Sequence, residues 1–260
     1  MKKRHLVYAI ALIVGMGACA ASAKKQAEAK PDVWKSYNVG TVLFEDKASE
    51  TKGSDIYHRI IPDAESYIKE QARTVLATLY NSPEDSITPV NKIHYTLEDI
   101  EGISAKGGGN GDVTIFYSTR HIEKSFAEND TAKLFFETRG VLLHELTHAY
   151  QLEPQGIGSY GTNRVFWAFI EGMADAVRVA NGGFDGPNAR PKGGNYMDGY
   201  RTAGYFFVWL RDNKDPEFLR KFNRSTLEVI PWSFDGAIKH ILGTEYSIDL
   251  SLIHISEPTR

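Results

Sequence analysis

The chain has one cysteine in 260 residues, Cys19, and it lies in an apolar N-terminal segment. The rest of the chain has no thiol, so it can form neither disulfides nor sites that depend on thiol chemistry. We therefore expect a hydrophobic core to stabilise the fold, and the hydrophobic content of 42% is sufficient for one.

Basic patches, internal repeats and long apolar runs are also absent from the sequence. The 30 Lys and Arg residues are balanced by 33 Asp and Glu residues, for a net charge of −3. No basic run lies beyond the first few residues, which argues against a nucleic-acid partner. The composition is that of a globular protein, and it excludes disorder, collagen and a polytopic membrane protein.

The N-terminus has the pattern of a secretory signal peptide. Basic residues at positions 2–4 precede an apolar run over residues 6–18, which is too short to span a membrane. Two processing routes fit: cleavage after Ala23, and lipid attachment at Cys19 in a lipobox-like segment. Met16 is a weak residue for a lipobox, which favours cleavage. We expect a periplasmic or extracellular protein, with a surface lipoprotein anchored through Cys19 as the alternative.

The remaining chain divides into three parts. Residues 24–30 are rich in Lys, Ala and Glu and predict a flexible spacer, and residues 31–249 predict a single domain. Residues 250–260 interrupt the pattern of a final helix and resemble translated sequencing adapter. We expect this tail to be non-native, so His254 receives no functional weight; a short native tail is the alternative.

The first half of the predicted domain mixes strands with a helix. The predicted strands cover residues 40–44, 92–97 and 112–118. Helical spacing predicts a helix over residues 64–80, which stops before Pro83. The glycine-rich segment 107–111 lacks the Lys-Ser/Thr of a phosphate-binding loop and leads into a strand, so we interpret it as a hairpin turn.

A strongly apolar helix that starts at Thr131 carries ionisable residues at its centre. Its apolar residues occupy nearly all sides, as in a buried helix, yet it contains His144, Glu145 and His148. Residues four apart share a helix face, so the two histidines can reach one metal ion. Glu145 then lies beside the metal, where it can take a proton from a water, as in HExxH metalloproteases.

Two histidines need a third ligand to form a catalytic metal site. Pro154 occupies the position of a metzincin's third histidine, which excludes that pattern. A second apolar helix, around residues 166–177, carries Glu171 and Asp175 one turn apart. This spacing fits Glu171 as a ligand and Asp175 as the hydrogen-bond partner of a ligand histidine. The competing interpretation is that these polar clusters are structural and bind no metal. Paired ionisable groups on two buried helices argue against it.

Together these motifs resemble the basic secretory protein family, peptidase-like proteins of plants and bacteria that are similar in motif to gluzincin metallopeptidases. The resemblance extends from about residue 42 to residue 249. It is carried by His-Glu-Leu-Thr-His-Ala-Tyr-Gln at 144–151, Phe-Ile-Glu-Gly-Met-Ala-Asp-Ala-Val-Arg at 169–178 and Gly-Tyr at 199–200. The word "basic" does not fit this chain, because its net charge is slightly negative.

The resemblance implies an α+β, zincin-like fold. In such a fold an N-terminal mixed α/β lobe with a small sheet precedes the central HExxH helix and a C-terminal helical lobe. It also implies zinc as the cofactor, with His144, His148 and Glu171 as ligands and Glu145 as the general base. Strand 112–118 then has two interpretations, a core strand and an exposed edge that binds an extended peptide.

The resemblance further implies a donor that stabilises the oxyanion of the reaction. Tyr200 matches the family's Gly-Tyr position at the start of a predicted helix over residues 199–211 and is the first candidate. Tyr205 on the same helix is the second, and a site that uses neither tyrosine is the third interpretation. His121 follows a strand and is more typical of a surface or capping residue.

The sequence therefore predicts an exported zinc-dependent peptidase that acts on a peptide or protein substrate. A non-catalytic, zinc-containing surface binding protein on the same scaffold is the alternative. The presence of Glu145 argues against that alternative, because a protein that only binds has no need of a base beside the metal.

Overall fold

A computed structural model describes residues 32–184 and 190–249. The predicted signal peptide (1–23), spacer (24–30) and tail (250–260) lie outside these residues. The described part is α+β, as expected, with one four-stranded mixed sheet and eight α-helices. The described residues from Val33 onward form one compact unit.

The sheet lies in the N-terminal half of this unit. Its strands are β1 (Thr41–Asp46), β2 (Lys92–Glu98), β3 (Ser104–Gly109) and β4 (Asp112–Ser118). The order is β1-β2-β4-β3, with parallel β1–β2 and β2–β4 pairs and an antiparallel β3–β4 pair. In register, Tyr95 of β2 lies opposite Ile115 of β4, and both are buried on the core face.

The β3–β4 hairpin corrects two sequence-based expectations. The turn consists of Asn110 and Gly111, which have φ of 53° and 83°, as in a two-residue type I′ turn. Residues 107–109 belong to β3, which the sequence did not predict, because glycines carry no hydrophobic alternation. β4 is an interior strand, so the core-strand interpretation of residues 112–118 is confirmed and the exposed-edge interpretation is wrong; the edge strand is β3.

The helices account for most of the remaining described residues. They are α1 (Lys52–Ile60), α2 (Ala64–Leu79), α3 (Thr119–Ser125), α4 (Thr131–Tyr150), α5 (Arg164–Ala180), α6 (Tyr200–Asn213), α7 (Phe218–Glu228) and α8 (Phe234–Leu242). The sequence predicted α2, α4, α5 and α6 within a few residues, but not α1, α3 or α7. The final helix, expected to be interrupted at residue 250, is α8, which already ends at Leu242 with Gly243 as its C-cap. No helix among residues 32–184 and 190–249 is long and apolar enough to cross a membrane.

Helices α4, α5 and α6 position the site. Asp130 and Asn163 cap the N-termini of α4 and α5 by accepting hydrogen bonds from backbone amides. α5 packs against both α4 and α6. The α5–α6 contact is close because Gly204 lies against the backbone of α5, where a Cβ atom would be 2.8 Å from the nitrogen of Ala176. This packing fixes the α5 turn that carries Asp175.

Candidate metal centre

Three side chains from α4 and α5 converge at one point. The Nε2 atoms of His144 and His148 are 3.1 Å apart. Oε2 of Glu171 lies 3.3 Å from the first of these nitrogens and 3.7 Å from the second. The structure thus brings together the two histidines of the HExxH motif and the glutamate of the second apolar helix, and this group could hold a metal ion.

The spacing of these three atoms fits a tetrahedral metal site. Zinc binds imidazole nitrogen and carboxylate oxygen at about 2.0–2.1 Å, which places neighbouring ligands of a tetrahedron about 3.3–3.4 Å apart. The observed separations of 3.1, 3.3 and 3.7 Å bracket that value. Two histidines and one carboxylate also form a donor set that zinc uses in catalytic sites with one open position.

Each of the three side chains is held by a further hydrogen bond. Nδ1 of His144 lies 2.7 Å from Oδ1 of Asp175, and the hydroxyl of Tyr160 donates to Oε1 of Glu171 at 2.6 Å. Nδ1 of His148 lies 2.9 Å from the side-chain amide of Gln151. The sequence analysis identified Asp175 but missed Gln151, the C-cap of α4, and Tyr160, which lies in the loop before α5.

The orientation of the Gln151 amide is compatible with a metal on His148. Its side-chain oxygen is buried, and no hydrogen-bond partner reaches it within the described part of the chain. A metal on Nε2 of His148 requires the hydrogen on Nδ1, which then needs an acceptor. With its amide turned by 180°, Gln151 offers that oxygen to the Nδ1 hydrogen.

The electrostatics of the two histidines differ. Burial lowers the pKa of His144, but hydrogen bonds to Asp175 and Glu171 outweigh it and raise the pKa to about 10. Burial and the neighbouring charge of His144 lower the pKa of His148 to about 3. His144 is therefore protonated beside these carboxylates when no metal is bound. A metal ion held by the two Nε2 atoms would replace that proton.

Glu145 lies beside this group and is only 6% exposed. Burial raises its pKa, while the charge of His144 and the side chain of Ser104 oppose the rise. A carboxylate whose pKa is shifted towards neutrality is suited to act as a general base. The backbone of Lys106 also approaches Glu145, so the unpredicted strand β3 borders the site.

A cleft of about 810 Å³ opens above the group and contains two exposed tyrosines. Tyr200, 46% exposed, stacks its ring on His144 with centroids 6.0 Å apart. Tyr160, 47% exposed, lies in the loop between α4 and α5. Burial raises the pKa of both phenols, so both hydroxyls stay protonated and can donate hydrogen bonds. Tyr205, the second candidate donor, is not among the described residues that line the cleft.

His121 lies elsewhere than the sequence suggested. It is in α3, its side chain is only 16% exposed, and its Nε2 is 3.2 Å from Oε1 of Glu137. His121 is thus neither a surface residue nor the capping residue: its side chain is half-buried against Glu137 and Ser125, and Ser118 caps α3. His121 contacts Glu137 at one end of the cleft and does not join the group formed by His144, His148 and Glu171.

Fold and site together define an α+β protein with a candidate metal centre at the base of a cleft. A family model described as "Peptidase of plants and bacteria" matches residues 39–251, most of the chain and all of the site. The chain belongs to this basic secretory protein (BSP) family, and its class is that of peptidase-type hydrolases with peptide or protein substrates. A search of curated proteins and a search of solved structures gave no match.

Proposed function

We propose that the protein is an exported zinc peptidase with a zincin-like domain over residues 31–249. The observation that carries the proposal is the convergence of His144, His148 and Glu171 at tetrahedral spacing, with Glu145 beside them. Membership of a secretory peptidase family supports it. The basic and apolar pattern of residues 1–23 supports export.

The proposed mechanism assigns the proton transfers to Glu145. Zinc bound by the two histidines and Glu171 would supply Lewis acidity, which makes a water more acidic and polarises a carbonyl. The Glu145 carboxylate takes the proton of the attacking water as the new C–O bond forms. It then gives this proton to the amine nitrogen as the C–N bond breaks.

Neighbouring side chains orient the reacting groups. Asp175 accepts the Nδ1 hydrogen of His144 and holds its ring with Nε2 towards the cleft. Tyr160 donates to Glu171 and fixes that carboxylate. Tyr200 is exposed above His144, and we assign its hydroxyl to the oxyanion.

The edge strand β3 is the proposed docking site for the substrate backbone. It is one of the two edge strands of the sheet, and residues 103–106 line the cleft beside Glu145. An extended peptide can add to such an edge by main-chain hydrogen bonds. The glycines at 107–109 have no side chains to obstruct this approach.

Substitution of Glu145 tests the proposal. Glu145→Gln keeps the size of the side chain but cannot accept the proton, so we expect wild-type zinc content and a loss of peptide cleavage of at least about a hundredfold. Glu70→Gln, an exposed glutamate on α2, is the matched control and is expected to cleave normally. A peptide library followed by mass spectrometry measures cleavage.

Two results would contradict the mechanism. Cleavage at the wild-type rate by Glu145→Gln would show that another group acts as the base. A wild-type protein that binds zinc but cleaves no peptide in the library would favour a binding protein on the same scaffold.

A further inference from the structure

The cleft continues past the metal centre towards the N-terminus of α4. Val141 and Glu137 line it one and two turns before His144 and Glu145. On the opposite wall, Arg178 follows Glu171 by about two turns of α5, which is about 10 Å. An extended peptide rises about 3.3 Å per residue, so a group within three residues of the scissile bond reaches this end.

Arg178 is held rigidly at this end of the cleft. It is 8% exposed, its Nε donates to the carbonyl of Gly183 at 2.9 Å, and its Nη2 donates to Oε2 of Glu137 at 2.6 Å. The guanidinium lies 4.0 Å from the centroid of the Phe184 ring. Gly140 leaves room for it, because a Cβ atom there would be 2.5 Å from Nε. A cation fixed in this way loses little entropy when it binds an anion.

A second cation reaches the same place from α6. Arg201 is exposed, lines the cleft and lies 5.5 Å from the centroid of Phe184. Within residues 32–184 and 190–249, Arg201 makes no salt bridge with a carboxylate. Phe184 is therefore in contact with two guanidinium groups, only one of which is paired.

Among the described residues that form this end of the cleft, the two arginines are accompanied by one carboxylate, that of Glu137. Burial raises the pKa of Glu137, but His121 and Arg178 outweigh it and hold the pKa below its usual value. Glu137 is therefore ionised and compensates one arginine, with one oxygen bonded to Arg178 and the other to His121. The charge of Arg201 remains available to a ligand.

We propose that this end of the cleft, formed by Arg178, Arg201, Phe184 and Glu137, binds a carboxylate of the substrate peptide. The proposal rests on the proposed peptidase function and names its substrate class, peptides with an anionic group near the scissile bond. That carboxylate belongs either to an Asp or Glu side chain or to the C-terminus of the peptide. Planar guanidinium groups recognise both through paired hydrogen bonds.

Peptide binding to the zinc-loaded Glu145→Gln protein tests the subsite without cleavage. The probes are fluorescent decapeptides of one sequence with Glu, Gln or Lys at the central position, each with a free or an amidated C-terminus. We expect a carboxylate to increase affinity about tenfold over the amidated Gln peptide. A preference for central Glu identifies a side-chain subsite, and a preference for the free C-terminus identifies a terminal one.

Variants of Arg201 decide whether the preference arises at this place. Arg201→Gln is expected to abolish the preference for a carboxylate. Arg201→Glu is expected to invert it, so that the Lys peptide binds best. Unfolding of the cleft would abolish binding but would not invert the preference. Arg211→Gln, on the same helix but outside the cleft lining, is the matched control and should behave as the parent protein. Arg178 is unsuitable as the first variant, because its loss leaves Glu137 without its cation.

The outcomes separate this subsite from the proposed function. Equal affinity for all peptides, no measurable binding of the carboxylate peptides, or a preference that survives Arg201→Glu would overturn the subsite. Wild-type cleavage of the same peptides is measured in parallel. Cleavage without a carboxylate preference rejects the subsite alone, whereas an Arg201-dependent preference without cleavage supports the subsite and rejects the peptidase.

Discussion

At the scale of single residues, the proposed mechanism assigns different roles to the two tyrosines of the cleft. Tyr160 bonds to Glu171, so Tyr160→Phe removes a hydrogen bond that holds a proposed ligand. Loss of such a partner typically weakens metal binding by about 10–100-fold. We therefore expect Tyr160→Phe to weaken zinc affinity by at least about tenfold, as measured by competition with a chelator.

Tyr200→Phe is the matched comparison. The hydroxyl of Tyr200 is proposed to stabilise the oxyanion and not to hold a zinc ligand. We therefore expect the variant to keep its zinc affinity and to have a kcat about 10²–10³ lower. Both variants keep the aromatic ring, and both are measured for zinc affinity and peptide cleavage. The assignment is reversed if Tyr160→Phe lowers kcat at full zinc occupancy while Tyr200→Phe does not.

The residues that sequence analysis found and missed differ in their local pattern. His144, His148, Glu171 and Asp175 lie on long helices, where spacing alone places side chains on one face. Tyr160 lies in the chain segment between α4 and α5, where no period relates a residue to its position in space. The contact of Tyr160 with Glu171 depends on tertiary structure and required the three-dimensional arrangement. Gln151 lies only three residues after His148, at the C-cap of α4, so helical spacing could have indicated that contact.

At the scale of secondary-structure elements, the contact between α5 and α6 holds Asp175 in place. A Cβ atom at Gly204 would lie 2.8 Å from backbone atoms of Asp175 and Ala176. Gly204→Ala therefore pushes the helices apart, although Ala is favoured over Gly inside a helix by about 1 kcal/mol. We expect a net loss of about 1–3 kcal/mol in the free energy of unfolding, measured by urea denaturation.

Gly161→Ala is the control for this prediction. A Cβ atom at Gly161 has no neighbour within 4 Å, so its effect should stay within about 0.5 kcal/mol. An unchanged or increased stability of Gly204→Ala would show that the close approach of α5 and α6 is not required.

Elements with strong periodicity were predictable, and those without it were not. The long helices α2, α4 and α5 have apolar residues at helical spacing, and β2 and β4 have buried residues in alternation. Strand β3 has the sequence Ser-Ala-Lys-Gly-Gly-Gly, which has no alternation of apolar residues. It is a strand because it pairs with β4. The zincin-like arrangement and its boundaries at residues 31 and 249 remain predictions.

At the scale of the whole molecule, stability at acid pH depends partly on the link between β1 and α1. Asp46 accepts hydrogen bonds from the side chain of Ser54, the backbone of Ala48 and His58. Burial raises the pKa of Asp46, but these bonds outweigh it and lower the pKa. A depressed folded-state pKa adds stability above the unfolded value of about 3.9, and this contribution is lost as the pH falls through the folded value.

Asp46→Asn removes this titration. We expect the variant to be less stable than the wild type at pH 7, with a smaller difference at pH 3, as measured by urea denaturation at both values. Other carboxylates titrate in both proteins, so their effects largely cancel in the difference. A difference that stays constant or grows on acidification would contradict the role of Asp46.

Zinc content tests the central claim most directly. Inductively coupled plasma mass spectrometry is applied to the purified wild type, to His148→Ala and to His94→Ala, a histidine on β2 paired with Glu45 away from the site. The account predicts about one zinc per chain in the wild type and His94→Ala, and almost none in His148→Ala. No metal in a folded wild-type protein, or equal zinc in all three proteins, would contradict the account.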